Sequence, residues 1–167
     1  MTSDETLMLE FQRGSRAAFD ELFARYRQPL YGYFRRRLSS RERAEDLTQE
    51  TFLAVIRATE RYQPRALVRT YFYGIAIKLL AVELRRLARV EESMDPASDP
   101  RVDESLWVRQ ALDRLEPVER EILMLREYEQ LSYAEIAELL RLPLNTVRTR
   151  LFRSRMALKT HLEPASK

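Results

Sequence analysis

Between Leu131 and Arg155 the chain reads LSYAEIAELLRLPLNTVRTRLFRSR, two short helical patterns around a tight turn. The second pattern carries more arginine than a buried helix could hold. A helix-turn-helix suits it, because there the second helix lies in the major groove of DNA. Ser132 can cap the first helix, and Glu135 three residues on completes a capping box that satisfies two otherwise unpaired backbone donors. Such a cap contributes about 1 kcal/mol, enough to fix where the helix begins. Ala134, Ile136, Ala137, Leu139 and Leu140 give it an apolar stripe, and Pro143 stops it. Asn145 is predicted to cap the second helix, with Val147, Leu151 and Leu158 facing inward at near-helical spacing. Thr146, Arg148, Thr149, Phe152, Arg153 and Arg155 are left outside as candidate contacts to duplex DNA. The plain alternative is a solvated basic face on an ordinary helical hairpin; the capped first helix and the short turn favour DNA.

The rest of the chain supports an all-α fold. Glycine is scarce, at Gly14, Gly32 and Gly74, and helix formers are abundant. The net charge is only +3, but nearly all the cations are arginine, the side chain best suited to phosphate and guanine. With no cysteine, disulfides and thiolate metal sites are excluded, and a reducing cytoplasm is the expected setting. No apolar run approaches membrane-spanning length, and the N-terminus (MTSDETLMLE) is unlike a secretory leader. Membrane insertion is therefore not expected. Catalysis has little support. The single histidine, His161, stands near the C-terminus, and no glycine-rich phosphate loop is present. Glu45, Asp46 and Glu50 could be imagined as metal ligands, but such a helical cluster reads better as a solvated or protein-binding face. No metal or other cofactor is expected.

Composition divides the chain. From Glu91 to Asp103 (EESMDPASDPRVD) there are five acidic residues, two prolines and few apolar ones, which marks a flexible acidic linker. Two small helical domains are expected, residues 1–90 and 105–163, joined by 91–104. In the first, Asp4 to Arg13 is a short helix ended by Gly14. Ser15 opens a longer one to about Leu38, with Phe19, Leu22, Phe23, Tyr26, Leu30 and Phe34 on one face and a kink expected at Pro29. Ser39 and Glu42 suggest a capping box for a helix to about Arg61, with Leu47, Thr51, Phe52, Val55 and Ile56 inward. A last helix, about Val68 to Val90, is expected to pack through Phe72, Ile75, Ala76, Leu79 and Leu84. The second domain adds helices near Leu106–Leu115 and Pro117–Tyr128 before the helix-turn-helix.

Two faces of the first domain stand out. Asp46, Gln49 and Glu50, three and four apart, share the side of their helix opposite Phe52 and Val55, as a partner rich in arginine would require. From Arg61 to Lys78, the aromatics Tyr62, Tyr71, Phe72 and Tyr73 alternate with Arg61, Arg65, Arg69 and Lys78. That mixture suits single-stranded DNA, where each base offers a face to stack on and each nucleotide a phosphate. Some of these rings must instead be core; Phe72 is expected to be buried, while Tyr62, Tyr71 and Tyr73 remain open to either role.

At this point a family resemblance becomes specific. ERAEDLTQETFLAVI (42–56) resembles the second conserved segment of sigma-70 family initiation factors, and PRALVRTYFYGIAIKLLAVELRR (64–86) resembles the promoter-melting segment that follows it. LEPVEREILMLREYEQLSYAEIAELLRLPLNTVRTRLFRSR (115–155) is similar to the family's promoter-reading domain. Two domains and a short linker resemble the compact extracytoplasmic-function (ECF) group. The resemblance implies a specificity subunit of bacterial RNA polymerase, with promoter DNA as its ligand. Asp46, Gln49 and Glu50 would dock on the β′ coiled coil and the C-terminal domain on the β flap. Arg61, Tyr62, Arg65, Arg69, Tyr71, Tyr73 and Lys78 would trap unpaired minus-ten bases. Thr146, Arg148, Thr149, Phe152, Arg153 and Arg155 would read the minus-thirty-five duplex. The acidic linker would thread along basic polymerase channels. An anti-sigma factor is a further implied partner, and no appended C-terminal sensor domain is expected.

Departures from the family pattern bear on promoter preference. Where Tyr-Arg-Ile-Ala-Arg-Asn is frequent, this chain has Tyr73-Gly74-Ile75-Ala76-Ile77-Lys78, and Val82 replaces a common acidic residue. Gly74 costs about 1 kcal/mol of helix propensity relative to alanine. Arg141 stands where glycine is usual in the helix-turn-helix turn. The competing reading is a stand-alone helix-turn-helix regulator that binds duplex DNA unaided. It accounts for residues 105–162 and leaves the earlier motifs without a role. A third reading is an interaction module that occupies polymerase without directing it.

Overall fold

A computed structural model describes residues 1–91 and 106–163. Apart from Glu91, the expected acidic linker lies outside them. Among the described residues there are eight α-helices and no strand, in two compact units. The N-terminal unit holds α1 (Asp4–Gln12), α2 (Arg16–Arg37), α3 (Arg41–Ala58) and α4 (Val68–Glu91), with a 3-10 turn at Thr59–Arg61. The C-terminal unit holds α5 (Leu106–Asp113), α6 (Pro117–Glu127), α7 (Tyr133–Leu140) and α8 (Leu144–Leu162).

Each boundary has a local cause. Gly14 (φ +105°) ends α1 in a Schellman turn, in which Ser15 N–H donates to Glu10 O and Gly14 N–H to Phe11 O, both at 2.9 Å. Ser15 then turns its hydroxyl oxygen onto Ala18 N–H and starts α2. This helix continues through Pro29, which is exposed, so water can reach the Arg25 carbonyl that lacks its usual amide partner. The cap of α3 is Ser40 instead of the expected Ser39; its Oγ accepts from Arg43 N–H. At the same junction the buried Arg35 donates to the carbonyls of Leu38 and Ser39.

The N-terminal core gathers Met8, Leu22, Leu30, Phe34, Val55 and Phe72, with Tyr26 stacked on Phe72 at a 4.5 Å centroid distance. Three residues expected inside are exposed: Phe23 (37%), Ile56 (41%) and Leu84 (45%). Each lies at the edge of its stripe. The buried line of α3 centres on Thr51 and Val55, and on α4 the inward place beside Leu84 is taken by Glu83. Phe23 still sets one side of its ring against Phe52 at 4.7 Å.

In the C-terminal unit, Ile122, Leu125, Leu131, Ile136, Val147 and Leu151 form the centre. Ser132 and Glu135 make the predicted capping box of α7. Arg141 takes the left-handed conformation (φ 55°) at the end of α7, with Leu142 N–H donating to Ala137 O at 3.0 Å. The arginine therefore occupies the same kind of turn that glycine would. Pro143, not Asn145, begins α8, and its carbonyl accepts from Val147 N–H at 3.1 Å. Asn145 thus sits exposed within the first turn.

Candidate nucleic-acid and protein-binding faces

On α8 the inward residues are Val147, Leu151 and Ser154, with Leu158 half-buried. The Ser154 hydroxyl lies 3.0 Å from Glu119 O on α6 and 2.6 Å from Arg150 O, which pins the helix to its scaffold. Opposite this seam, Arg148, Thr149, Phe152, Arg153 and Arg155 are exposed and Thr146 is half-buried. Phe152 is 67% open to solvent. Asn145, Thr146, Thr149, Arg150 and Arg153 line one shallow depression, so the face also takes in the exposed Asn145 and the half-buried Arg150, which the sequence pattern does not single out.

The outward arginines are not equivalent. Arg155 is paired with Glu127 of α6, donating through Nε at 3.1 Å and Nη2 at 2.7 Å. That hydrogen bond holds its guanidinium further above its ordinary value. Arg148 borders a second depression with Arg126, Ser132, Tyr133 and Leu144, where the Arg126 guanidinium lies 5.0 Å from the Tyr133 ring.

In the N-terminal unit, Asp46, Gln49 and Glu50 follow one outward line of α3, and the exposed Leu53 (48%) continues it. Helical geometry brings these residues together, since positions three and four apart are neighbours on one face. Asp46 is paired with Arg43 at 3.2 Å. Beside the line, a groove of about 420 Å³ between α2 and α3 is lined by Phe23, Arg27, Tyr31, Glu45, Gln49 and Phe52. Phe23, Arg27 and Tyr31 recur every four residues, a spacing that puts them on one side of α2.

The Arg61–Lys78 segment departs from expectation in its tyrosines. Tyr62 (4% exposed) and Tyr73 (2%) are buried, so in this conformation their rings are closed to stacking. Tyr62 folds over its own loop, donating to Ala66 O at 2.9 Å and packing edge-on to Tyr71 at 5.5 Å. Tyr73 packs edge-on against Tyr33 at 5.7 Å. Phe72 is fully buried, as expected. Tyr71 is half-exposed, and burial pushes its phenol above the ordinary value. Arg61, Arg65 and Lys78 are exposed and Arg69 is half-buried, so the segment offers cations around one accessible ring.

Known proteins place these faces in context. Residues 22–90 match the family model described as Sigma-70 region 2, and residues 105–158 match Sigma-70, region 4. The chain is 30% identical to the ECF RNA polymerase sigma-E factor of Haemophilus influenzae, over 97% of this chain and 96% of that protein. It is 29% identical to the RNA polymerase sigma-H factor of Pseudomonas aeruginosa, over 96% and 94% of the two chains. Among solved structures it resembles CnrH in complex with the cytosolic domain of CnrY (TM-score 0.76, 25% identity, 99% of this chain and 100% of that one). A likeness in fold alone extends to the sigma factor RpoE in complex with the anti-sigma factor NepR from Bartonella quintana (TM-score 0.70, 21% identity, 89% and 98%). With both conserved regions in order and relatives matched along nearly their whole length, this chain belongs to the sigma-70 family of RNA polymerase sigma factors, in its ECF group.

Proposed function

We propose that the chain binds RNA polymerase core and directs it to promoters through three faces. The Asp46–Gln49–Glu50 line, extended by Leu53, docks on the β′ coiled coil. Arg61, Arg65, Arg69, Lys78 and the accessible edge of Tyr71 hold the unpaired minus-ten strand, with Tyr62 and Tyr73 supporting them from inside. Arg148, Thr149, Phe152 and Arg153, flanked by Thr146 and Arg155, read the minus-thirty-five duplex, while the C-terminal unit rests on the β flap. Residues 91–104 join the two domains, 1–90 and 105–163. The action is binding, in the cytoplasm, and no chemical step is assigned to any residue. Among the described residues no helix is long and apolar enough to cross a membrane. An anti-sigma partner belongs to the same proposal, on the ground that RpoE of similar fold is held by the anti-sigma factor NepR.

Energetics favour a subunit over an independent binder. DNA base steps stack with about 1.4 kcal/mol each, so opening a dozen costs on the order of 15 kcal/mol. One half-exposed tyrosine and a few arginines cannot supply that, whereas a polymerase that holds both strands can. The observation that carries the reading is the exposed acidic and amide line on α3, remote in sequence from every arginine of α8. A regulator acting alone on duplex DNA gives that line no work.

Run-off transcription with purified core tests the proposal. Initiation at defined promoters is expected only when chain and core are combined. Tight sequence-specific binding without core would favour the stand-alone regulator, and core binding without run-off product would favour an occluding module.

A further inference from the structure

The first helix lies outside the region 2 match, which begins at residue 22, yet its side chains grip both ends of the loop between α3 and α4. Gln12, the last residue of α1, donates through Nε2 to Thr59 O at 2.9 Å and to Tyr62 O at 3.0 Å, with Glu60 O at 3.4 Å. At the other end, Glu5 Oε1 accepts from Val68 N–H at 3.1 Å, satisfying a free donor at the start of α4. Glu5 and Gln12 are seven residues apart and so lie on one side of α1. The helix is itself anchored, because Asp4 accepts from Arg25 at 2.7 Å and from the Tyr26 hydroxyl. Tyr26 in turn stacks on Phe72 of α4.

We propose that Gln12 and Glu5 are positioning residues for base selection: they fix the shape of the 59–67 loop, and so decide which minus-ten base it accepts. The inference rests on the reading of that loop as the minus-ten site. The amide suits this task because it donates twice from one planar group and carries no charge that would compete for phosphates. Thr59 O also accepts from Tyr62 N–H at 3.1 Å, so it is the Tyr62 carbonyl that would otherwise be left to water, free to move with the backbone. Held from α1, the loop presents Arg61 and Arg65 in one arrangement, and selection gains because a rigid receptor loses no ordering entropy when the right base enters. The interior position of Tyr62 follows from the same clamp, since Gln12 pulls on its carbonyl while its own hydroxyl closes on Ala66.

The test is run-off transcription with core polymerase on promoters randomised across the minus-ten element, comparing wild type with Gln12→Leu, Gln12→Glu, Glu5→Gln and Glu5→Leu. Gln12→Leu and Gln12→Glu, neither of which can donate at neutral pH, are expected to flatten base preference on the order of fivefold. Core affinity is expected to stay at the wild-type level. Glu5→Gln keeps an acceptor for Val68 N–H and should retain the wild-type profile, whereas Glu5→Leu should lose it. An unaltered profile in a folded, core-binding Gln12→Leu protein overturns the proposal. If Gln12→Leu does not fold, an unaltered profile in Glu5→Leu overturns it instead. A wild-type protein that initiates without any minus-ten preference removes the reading of the loop, and this inference with it.

Discussion

Glu83 of α4, 3% exposed, receives the side chain of Arg43 from α3 in a two-point contact, Nη2 to Oε2 at 2.8 Å and Nε to Oε1 at 3.0 Å. Arg86 approaches the same carboxylate at 2.6 Å, and Arg43 also reaches Asp46 at 3.2 Å. One buried acid thereby joins two helices and neutralises an arginine that stands beside the Asp46–Gln49–Glu50 line. Hydrogen bonds from Arg43 and then Arg86 outweigh the effect of burial and hold the carboxyl down at about 2.

Glu83→Gln is therefore expected to destabilise the N-terminal unit by about 1–3 kcal/mol at pH 7, the usual worth of hydrogen bonds to a charged group. A folded value below the unfolded one means the contribution is complete above about 4.5 and is lost as pH falls through about 2. Urea unfolding of both proteins at pH 7 and at pH 3 checks this. The gap between them should narrow at the lower pH, and a constant gap would count against the charge as its source.

Arg141→Gly should stabilise the C-terminal unit. A left-handed backbone costs an L-residue about 1–2 kcal/mol, part of which is returned because glycine leaves the unfolded chain more freedom. A net gain of up to about 1 kcal/mol is expected, read as a rise in Tm for the full chain. No rise would mean that the arginine side chain makes good the strain.

Arg153→Ala and Arg155→Ala should differ in kind. Arg153 is exposed and borders the depression on α8, so its loss should cost about 1–3 kcal/mol and relax preference for one base pair. Arg155 is already engaged by Glu127, so its loss should weaken binding less and without regard to base. Holoenzyme titrations against duplexes varied one pair at a time separate the two. Equal relaxation by both variants would refute the distinction.

Leu53→Asp should impair polymerase docking while leaving the fold intact. Leu53 is 48% exposed and continues the Asp46–Gln49–Glu50 line, where an aspartate would be buried without a partner on docking. A drop of about tenfold in core affinity, or ~1.4 kcal/mol, is expected with an unchanged Tm. Undiminished affinity would move the interface elsewhere.

What could be read from sequence was mostly local. The Ser132–Glu135 box, the Gly14 stop and the Ser15 cap depend on residues within one turn, and all were visible as spacing. Two caps differ from expectation: Ser40 serves instead of Ser39 because two serines stand together, and Pro143 instead of Asn145 because α8 begins with no side-chain cap at all. The outward residues of α8 emerged from periodicity, since the inward ones recur so regularly. Tyr62 and Tyr73 could not be sorted by pattern, because an aromatic near arginines serves a core as well as a surface. Gln12 and Glu5 left no trace at all: their partners are 47 to 63 residues away, and a single polar side chain gripping a distant backbone has no periodicity.

Ser154 sits between Arg153 and Arg155 and buries its hydroxyl against the Glu119 carbonyl. Because Ser154 is fully buried and tied to α6 by that bond, α8 cannot roll about its own axis without tearing the seam. The outward residues of α8 can therefore change one at a time over a fixed mount, whereas a change at Ser154 disturbs the mount itself.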